Sequence, residues 1–462
     1  MAPPLLTELP YRADSASLFE AIADLPWAVF LDGGQHHPAQ SRYDILSAQP
    51  YIRLVTRGNL TEIDAEGVEL TRDDPFSVVR QFLAADPSCG SSLPFCGGAI
   101  GYFSYDLGRR LERLPAQAFD AERLPEMAIG IYDWAVVVDH VERRAWLVGQ
   151  GRDSETDIKW GRLVALFSEP PPERKRAPFR VTSPVISNMT QETYGRAFER
   201  IKRYIAEGDC YQVNLAQRFS AQAAGDPWLA YQALRVLNPA PFAAYLSTPF
   251  AHVLSASPER FLKVQDGRVE AKPIKGTRPR AGHARLDAEL IEALRASGKD
   301  RAENVMIVDL LRNDLSKNCR LGSVKVPKLF DVESFATVHH LVSTVTGELS
   351  AGRDAVDLLR GSFPGGSITG APKLRAMQII EELEPHRRGV YCGAIGYLGF
   401  DGNMDMNIAI RTLVCSRGEI RFWAGGGIVA DSKVEEEYQE TFDKAAAMLK
   451  LLQQSAVAQA RA

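Results

Sequence analysis

Lys275 and Glu259 are the two side chains whose type and position first suggest catalysis. Lys275 stands between Pro273 and Gly276, where the proline stiffens the chain and the glycine lets the backbone approach a ligand. A lysine held in this way can act as a desolvated nucleophile. Glu259, within Ser-Pro-Glu-Arg, can act as a general acid if burial raises its pKa. Taken alone, each residue fits a solvated turn lysine or a salt-bridged surface carboxylate better.

Two segments with helical spacing carry carboxylates that could bind a cation. Glu303 shares a helix face with apolar residues, and Glu437, Glu440 and Lys444 share another at i, i+3 and i+7. Mg²⁺ prefers one or two carboxylates together with water and substrate oxygens. Glu303 and Glu440 could therefore hold Mg²⁺ from separate helices. The alternative is a solvated helix surface, which most glutamate-rich faces are.

Two glycine-rich loops, at residues 365–370 and 425–427, expose backbone N–H groups that can bind carboxylates. The first loop is not a nucleotide-binding P-loop, because Ala371 and Pro372 follow where that motif needs lysine. Arg411 lies in the strand-like run Ile-Ala-Ile-Arg-Thr-Leu-Val. A charge on a buried strand requires an anionic partner, so these features favour a ligand that carries carboxylates.

The elements that must position these residues indicate an α+β fold with antiparallel sheets. Short runs rich in Val, Ile, Tyr and Trp come in neighbouring groups, with helical segments between the groups. The spacing predicts helices from Thr190 as the cap to about residue 207, and over residues 287–296, 301–315 and 433–452. The proline-rich, charged stretch that begins at residue 169 divides the chain into an N-terminal region (1–168), a linker (169–186) and a catalytic region (187–455).

Composition excludes several classes of protein. The net charge of −4 gives no footprint for nucleic acid or an anionic membrane. The first residues lack the basic and apolar regions of a signal peptide, and no apolar run reaches the ~18 residues of a spanning helix. Six scattered cysteines without C-x-x-C spacing argue against a zinc site and suit a reducing compartment. We therefore expect a cytoplasmic protein.

Several longer motifs occur together and in order, and they resemble the chorismate-utilising enzymes. They are SPERF, PIKGT, DRAEN followed by MIVDLLRNDL, HHLVS, FPGGSITGAPK, IRT, AGGGIVADS and EYQETFDK. The resemblance covers nearly all of residues 190–450, whereas LPWAVFLDGG and SRYDIL match the N-terminal region of the aminating members more thinly. It implies the fold of anthranilate synthase component I, an α+β fold with a two-sheet antiparallel β-sandwich core and helices packed outside.

Two positions discriminate among members of this family. Lys275 in PIKGT resembles the members that make 4-amino-4-deoxychorismate for p-aminobenzoate and folate, where anthranilate synthases have alanine. Gln212 in CYQVN resembles the members that use ammonia, where water-using isochorismate and salicylate synthases have a lysine base. No cysteine lies in the context of a glutaminase nucleophile, so a separate glutamine amidotransferase subunit is implied. The alternatives are an anthranilate synthase component I, a water-using synthase, a pyridoxal-phosphate enzyme with Lys275 as Schiff base, and a tryptophan-binding regulatory protein without catalysis.

The resemblance also implies roles for individual residues. Lys275 would add to C2 of chorismate, Glu259 would protonate the leaving 4-hydroxyl, and ammonia would then attack C4 and expel the lysine from C2. Glu303 and Glu440 would bind Mg²⁺, with Glu437 holding a metal-bound water. Residues matching family positions around the substrate are Gln212, Gly276, Thr277, His340, Thr369, Tyr391, Arg411, Gly425, Gly426, Gly427 and Lys444. Residues matching a site for L-tryptophan in some relatives are Ser41, Arg42, Pro241, Phe242 and Ala243, although Gly33 stands where serine is common.

Overall fold

A computed structural model describes residues 5–33, 41–83, 93–171, 174–334 and 338–456. The strands are β1 Leu5–Leu9, β2 Val29–Asp32, β3 Tyr43–Ser47, β4 Ile52–Arg57, β5 Leu60–Asp64, β6 Val68–Thr71, β7 Gly98–Phe103, β8 Met127–Tyr132, β9 Trp134–Asp139, β10 Arg144–Gly149, β11 Arg180–Val181, β12 Ile186–Ser187, β13 Gln212–Ala224, β14 Phe242–Ser247, β15 His252–Ser257, β16 Arg260–Gln265, β17 Arg268–Ala271, β18 Ile274–Pro279, β19 Lys325–Ser334, β20 Val338–Glu348, β21 Gly370–Ala371, β22 Ala394–Gly399, β23 Met404–Ile408, β24 Thr412–Ser416 and β25 Glu419–Ile428. The α-helices are α1 Ala16–Phe19, α2 Pro75–Phe82, α3 Ser154–Ser168, α4 Gln191–Ala206, α5 Pro227–Leu237, α6 Ala284–Ala296, α7 Gly298–Ser316, α8 Ala355–Ser362, α9 Lys373–Leu383 and α10 Val434–Gln454, and short 3₁₀ turns span Tyr105–Arg110 and Gly366–Ile368.

The strands form two large antiparallel sheets, which confirms the α+β prediction. One sheet has the order β1-β10-β9-β3-β2-β14-β15-β24-β25-β13-β11, with β12 and β21 also paired to β13. The other has the order β18-β20-β17-β16-β23-β22-β7-β8-β4-β5-β6, with β19 also paired to β20. Central strands such as β7, β8, β9 and β22 are buried at every residue, so both faces of each sheet are covered there.

Each sheet combines strands from both sides of the proline-rich stretch. In the first sheet β2 pairs with β14, and in the second β7 pairs with β22. The stretch itself is tied down, because Arg176 forms ion pairs with Glu20, Asp24 and Asp226. The two sequence regions therefore share both sheets, and the division at residues 169–186 stays a prediction about sequence alone.

The predicted helices form close to their expected positions. Thr190 caps α4 through a reciprocal hydrogen-bonded box with Thr193, and Tyr194, Phe198 and Ile201 bury one face of that helix. The helices expected at 287–296, 301–315 and 433–452 correspond to α6, α7 and α10. Helix α10 packs on β25 and α7 packs beside β18 and β20, which brings three elements with candidate site residues to one place.

One expectation needs correction. Arg411 does not lie inside a strand but between β23 and β24, with a left-handed φ of 49°, because the chain turns there to pass from one sheet to the other. Cys96 is disulfide-bonded, whereas Cys210, Cys319, Cys392 and Cys415 are buried free thiols. Among the described residues, no helix combines the length and apolar composition that a membrane crossing requires.

Candidate active site

Lys275 lies on β18 at an irregular point of its pairing with β20. Lys275 faces Leu341, the register shifts before Thr277, and Gly276 takes a φ of 78°. A Cβ on Gly276 would stand 2.9 Å from Asp300 Cγ and from Leu294 Cδ1, so the bulge requires glycine. The Lys275 ammonium lies 3.4 Å from the carbonyl oxygen of Ser367, which directs it toward the glycine-rich loop.

Glu259 lies in the turn between β15 and β16 and is only 7% exposed. Burial raises the pKa of its carboxyl, against the opposing effects of the Lys275 charge and a hydrogen bond with Ser367. The carboxyl therefore keeps its proton to a higher pH than an ordinary glutamate. Ser367 is a neighbour of both Glu259 and Lys275, so a proton donor and an amine face one space.

Three carboxylates from α7 and α10 border the same space. A Cβ on Gly426 would lie 3.1 Å from Glu437 Oε2 and 3.3 Å from Glu440 Oε1, so this glycine leaves room between the backbone and both carboxylates. The Ser432 hydroxyl donates to Glu437 Oε1 at 2.6 Å. Glu437 Oε2 is buried without a hydrogen-bond partner among the described residues. An oxygen of this kind is expected to meet a ligand, an ion or water.

The charges of these carboxylates are coupled to one another and to Lys275. Burial raises the pKa of Glu303, Glu437 and Glu440 raise it further, and Lys275 and Lys299 oppose them. Burial also raises the pKa of Glu440, but nearby lysines, led by Lys444, outweigh it and lower the pKa overall. The charge of Lys275 thus acts on Glu259, Glu303 and Glu440 together.

The acidic side of the space fits a divalent cation that binds partly through water and substrate. No group of three His, Cys, Asp or Glu side chains in the described ranges is arranged to hold a metal ion by itself. Mg²⁺ does not need such a cage, because it keeps several waters and uses one or two carboxylates. Two features match this kind of site. Glu437 Oε2 has no hydrogen-bond partner among the described residues, and Gly426 has no side chain to fill the room beside Glu437 and Glu440.

A second group of candidate residues near this space is Thr277, His340 and Arg411. The Thr277 hydroxyl and His340 Nδ1 lie 2.8 Å apart. Burial, and then the nearby Arg411 charge, lower the pKa of His340 to about 4, so its ring is neutral at physiological pH. Burial also lowers the pKa of Arg411, whose side chain makes only a long 3.5 Å contact to Asn238 Oδ1. Within the described part of the chain, no carboxylate pairs with Arg411.

The floor of the space is the pairing of β13 with β25. Gly425 faces Ala216 and Gly427 faces Asn214, and a Cβ on Gly427 would stand 2.3 Å from Gln212 Nε2. Gln212 donates to Asn214 Oδ1 at 3.1 Å, while its own Oε1 is buried without a partner in the described structure.

The remaining candidate residues surround this floor. Lys444 Nζ lies 2.5 Å from Glu440 Oε1 and donates to the Gly425 carbonyl at 3.0 Å. The carbonyl of Thr369 accepts the backbone N–H of Asn214 at 2.9 Å. Tyr391 stacks on Trp423 with ring centroids 5.9 Å apart.

The structure therefore brings together most of the residues that the sequence proposed for substrate and metal, although their roles stay predictions. For Tyr391 it shows the stacking on Trp423 and no direct contact with another candidate among the described residues. Sequence reasoning missed Ser367, Asn214 and Lys299, which contact the site through a carbonyl, an amide and an ammonium group. Ser367 lies within the glycine-rich loop already singled out, and Asn214 lies two residues after Gln212 on one strand face. These sequence positions are the signals from which Ser367 and Asn214 could have been predicted as site residues.

A second cavity lies between the two sheets, away from Lys275. Its volume is about 560 Å³. Its lining includes all the residues proposed for tryptophan, namely Ser41, Arg42, Pro241, Phe242 and Ala243, and also Gly33. A Cβ on Gly33 would lie 1.9 Å from the Pro241 carbonyl oxygen and 2.6 Å from Ser41 Oγ. This backbone arrangement therefore leaves no room for a side chain at position 33, and tryptophan binding stays a prediction.

An amine, a buried carboxyl and an acidic cluster between two antiparallel sheets define an enzyme site of the kind that the sequence motifs indicated. The sequence profile of the chorismate binding enzymes matches residues 39–450, and the chain belongs to that family. It is 50% identical over 449 residues to aminodeoxychorismate synthase component 1 of Klebsiella aerogenes, covering 96% of this chain and 98% of that protein. It is 49% identical over 458 residues to the protein of the same name from Escherichia coli K12, covering 98% and 99%. Anthranilate synthase component I from Streptococcus pneumoniae TIGR4 superposes with a TM-score of 0.80 at 32% identity, covering 88% and 92%.

Proposed function

We propose that this chain converts chorismate and ammonia to 4-amino-4-deoxychorismate, as a magnesium-dependent transferase. The observation that carries the proposal is the position of Lys275, whose charge acts at once on the buried acid Glu259 and on the acidic residues Glu303 and Glu440. A nucleophile, a proton donor and a cation site around one space are what replacement of a ring hydroxyl requires.

Similarity supports this reaction over the making of anthranilate. Two relatives named aminodeoxychorismate synthase component 1 share about half their residues with the chain over nearly its whole length. The anthranilate synthase of known structure shares 32%. Lys275 points the same way, because a nucleophile is needed only if the amine is to enter at C4 after a covalent detour through C2.

The first step uses Lys275 and Glu259. The Lys275 amine bonds to C2, the ring double bonds shift, and the C4–O bond breaks as Glu259 gives its proton to the departing oxygen, which leaves as water. Hydroxide is a poor leaving group, so a carboxyl that keeps its proton lowers the barrier. Burial raises the pKa of Glu259, and the Ser367 contacts hold the acid and the amine on one side of the loop.

The second step replaces lysine by ammonia. Ammonia bonds to C4, the double bonds shift back, the C2–N bond breaks, and the proton that the new amine loses restores Glu259. Glu303 and Glu440, with Glu437 through a water, would hold a Mg²⁺ ion, which when bound neutralises the ring carboxylate. Arg411, Thr277 and the backbone at Gly425–Gly427 would bind the remaining carboxylate oxygens.

Ammonia for this reaction is proposed to come from a separate glutamine amidotransferase subunit. The relatives are named component 1, and the chain has no cysteine in a glutaminase context. The cytoplasm, where glutamine and chorismate are made, is the compartment proposed for it.

The test is incubation of the purified chain with chorismate, a magnesium salt and an ammonium salt, followed by mass and proton NMR analysis of the product. We expect a product with its amino group on C4, and no product when magnesium is removed by EDTA. An amine on C2, or the fluorescence of anthranilate, would show that the chain belongs to the other aminating branch.

The cavity at Ser41 and Pro241 supports a second, regulatory or structural function, the binding of L-tryptophan. Its volume of about 560 Å³ exceeds what an indole side chain occupies, and Phe242 and Arg260 on its walls offer apolar and polar contacts. Extensively dialysed protein, denatured in acid, should release about one tryptophan per chain. Protein that releases none and shows no binding of added tryptophan would remove this function.

A further inference from the structure

Lys299 is a cationic side chain within the acidic cluster that the proposed reaction does not use. It lies in the first turn of α7, one helical turn before Glu303, so the two side chains share a face. Its Nζ lies 3.5 Å from Glu437 Oε1. The other lysine at the cluster, Lys444, is already engaged by Glu440 and by the Gly425 carbonyl.

Lys299 and its partner Glu437 differ in how far each side chain is exposed to solvent. The Glu437 side chain is 3% exposed, whereas the Lys299 side chain is 47% exposed. The carboxylate is therefore fixed in the protein, and the ammonium can withdraw into water along its flexible stem. Burial disfavours the Lys299 charge, yet Glu437, Glu303 and Glu440 outweigh that effect and raise its pKa. By geometry, its ammonium lies beside Glu437 and on the face of α7 that carries Glu303.

We propose that Lys299 is a built-in counter-ion that occupies the acidic cluster in the free protein and must be displaced when a divalent cation binds. This inference rests on the proposed cation site. Without a cation, Glu303, Glu437 and Glu440 repel one another, and the ammonium offsets that repulsion. With a cation bound, a positive charge at the same place opposes it. Lys299 therefore lowers the affinity for the cation while it stabilises the unoccupied site, and it is a positioning residue, not a catalytic one.

The experiment measures Mn²⁺ binding to the full-length chain by the EPR signal of free Mn²⁺, without substrate. Lys299→Met should tighten binding about five- to tenfold, a Coulomb effect reduced by the exposure of the side chain. Lys299→Arg keeps the charge and should bind within about twofold of the parent. Lys433→Met is the matched control, since Lys433 pairs with the exposed Glu436 beside the same cluster and should change affinity less than about twofold.

A thermal unfolding series gives a readout that does not depend on activity. Without metal, Lys299→Met should melt below the parent, because the carboxylates lose their counter-ion. With saturating Mn²⁺ its melting temperature should rise more than that of the parent, since tighter binding adds more stability.

The outcomes separate the two proposals. Tighter binding by Lys299→Met alone supports the inference. Unchanged or weaker binding in that variant, or an equal gain in Lys433→Met, overturns the role of Lys299 and leaves the cation site in place. A parent chain with no saturable Mn²⁺ binding, or with binding that Glu440→Gln does not weaken, overturns both.

Discussion

Arg411 provides a prediction in which binding and stability move in opposite directions. Its guanidinium is partly buried, holds a left-handed φ of 49°, and pairs with no carboxylate in the described structure. An unpaired charge in such a position destabilises the unliganded fold, and strained backbone persists where function requires it. We therefore expect Arg411→Met to weaken substrate binding and to stabilise the free protein.

The magnitudes follow from the contacts that are lost. A guanidinium can make two hydrogen bonds to a carboxylate, each worth about 1.5–3 kcal/mol when charged. Loss of both corresponds to about 3–6 kcal/mol, or a roughly 10²- to 10⁴-fold increase in the KM for chorismate, with a smaller change in kcat. Among the described residues, the one side-chain hydrogen bond that is lost is the 3.5 Å contact to Asn238 Oδ1, which is near the limit of a hydrogen bond. The free protein should therefore gain about 1 kcal/mol.

The assay pairs initial rates with ammonium as the nitrogen source and urea unfolding without substrate. Arg417→Met is the control, because Arg417 has a similar φ of 53° but an exposed side chain in a neighbouring turn. It should change neither KM nor unfolding free energy beyond about 0.5 kcal/mol. A KM for Arg411→Met within threefold of the parent, or a loss of more than 1 kcal/mol in the free protein, would refute the reasoning.

Three further predictions concern single residues. Lys275→Ala should abolish amination at C4 while Mg²⁺-dependent chorismate binding persists, with any residual product aminated at C2; unchanged C4 product by NMR contradicts the nucleophile. Glu259→Gln should lower kcat about 10²- to 10⁴-fold with KM little changed, and a parent-like rate sinks the general acid. Burial raises the pKa of Glu122 to about 8, and neither of its oxygens has a partner among the described residues. The folded state thus holds a proton that the unfolded chain loses above about pH 4.5, so this contribution to stability is lost as pH rises to about 8. Glu122→Gln should therefore gain about 4 kcal/mol more in urea unfolding at pH 8 than at pH 4; equal effects at both pH values would contradict the shift.

The helices show what the sequence could predict. Helices α4 and α10 were predictable because a cap or a 3.6-residue apolar spacing marks each one locally. Helix α5 also carried a local signal, Asp226 as cap followed by Pro227 in the first turn, which strand-like neighbours obscured. The pairing of β2 with β14 joins segments about two hundred residues apart, and no local periodicity specifies that register.

The site was predictable in composition but not in geometry. The motif residues identified Lys275, Glu259 and the acidic helices, yet nothing in their spacing shows that Ser367 joins the first two. The apolar neighbours of Arg411 predict a strand at this position, whereas in the structure the chain turns there between β23 and β24. The sequence shows Gly33 only as a departure, and the structure gives the reason: the carbonyl of Pro241, just before the distant strand β14, packs against it.

The two carboxyl groups nearest the proposed chemistry differ in charge because of their neighbours, not their residue type. Glu259 and Glu440 are both glutamates that burial drives toward the neutral form. For Glu259 burial prevails over the opposing effects of Lys275, Ser367 and Lys444. For Glu440 the direction is reversed, because Lys444, one helical turn along α10, brings its Nζ to 2.5 Å from Glu440 Oε1. The i, i+4 spacing of Glu440 and Lys444 therefore accounts for the difference between a carboxyl suited to donate a proton and a carboxylate suited to bind a cation, and the charge of Lys275 acts on both.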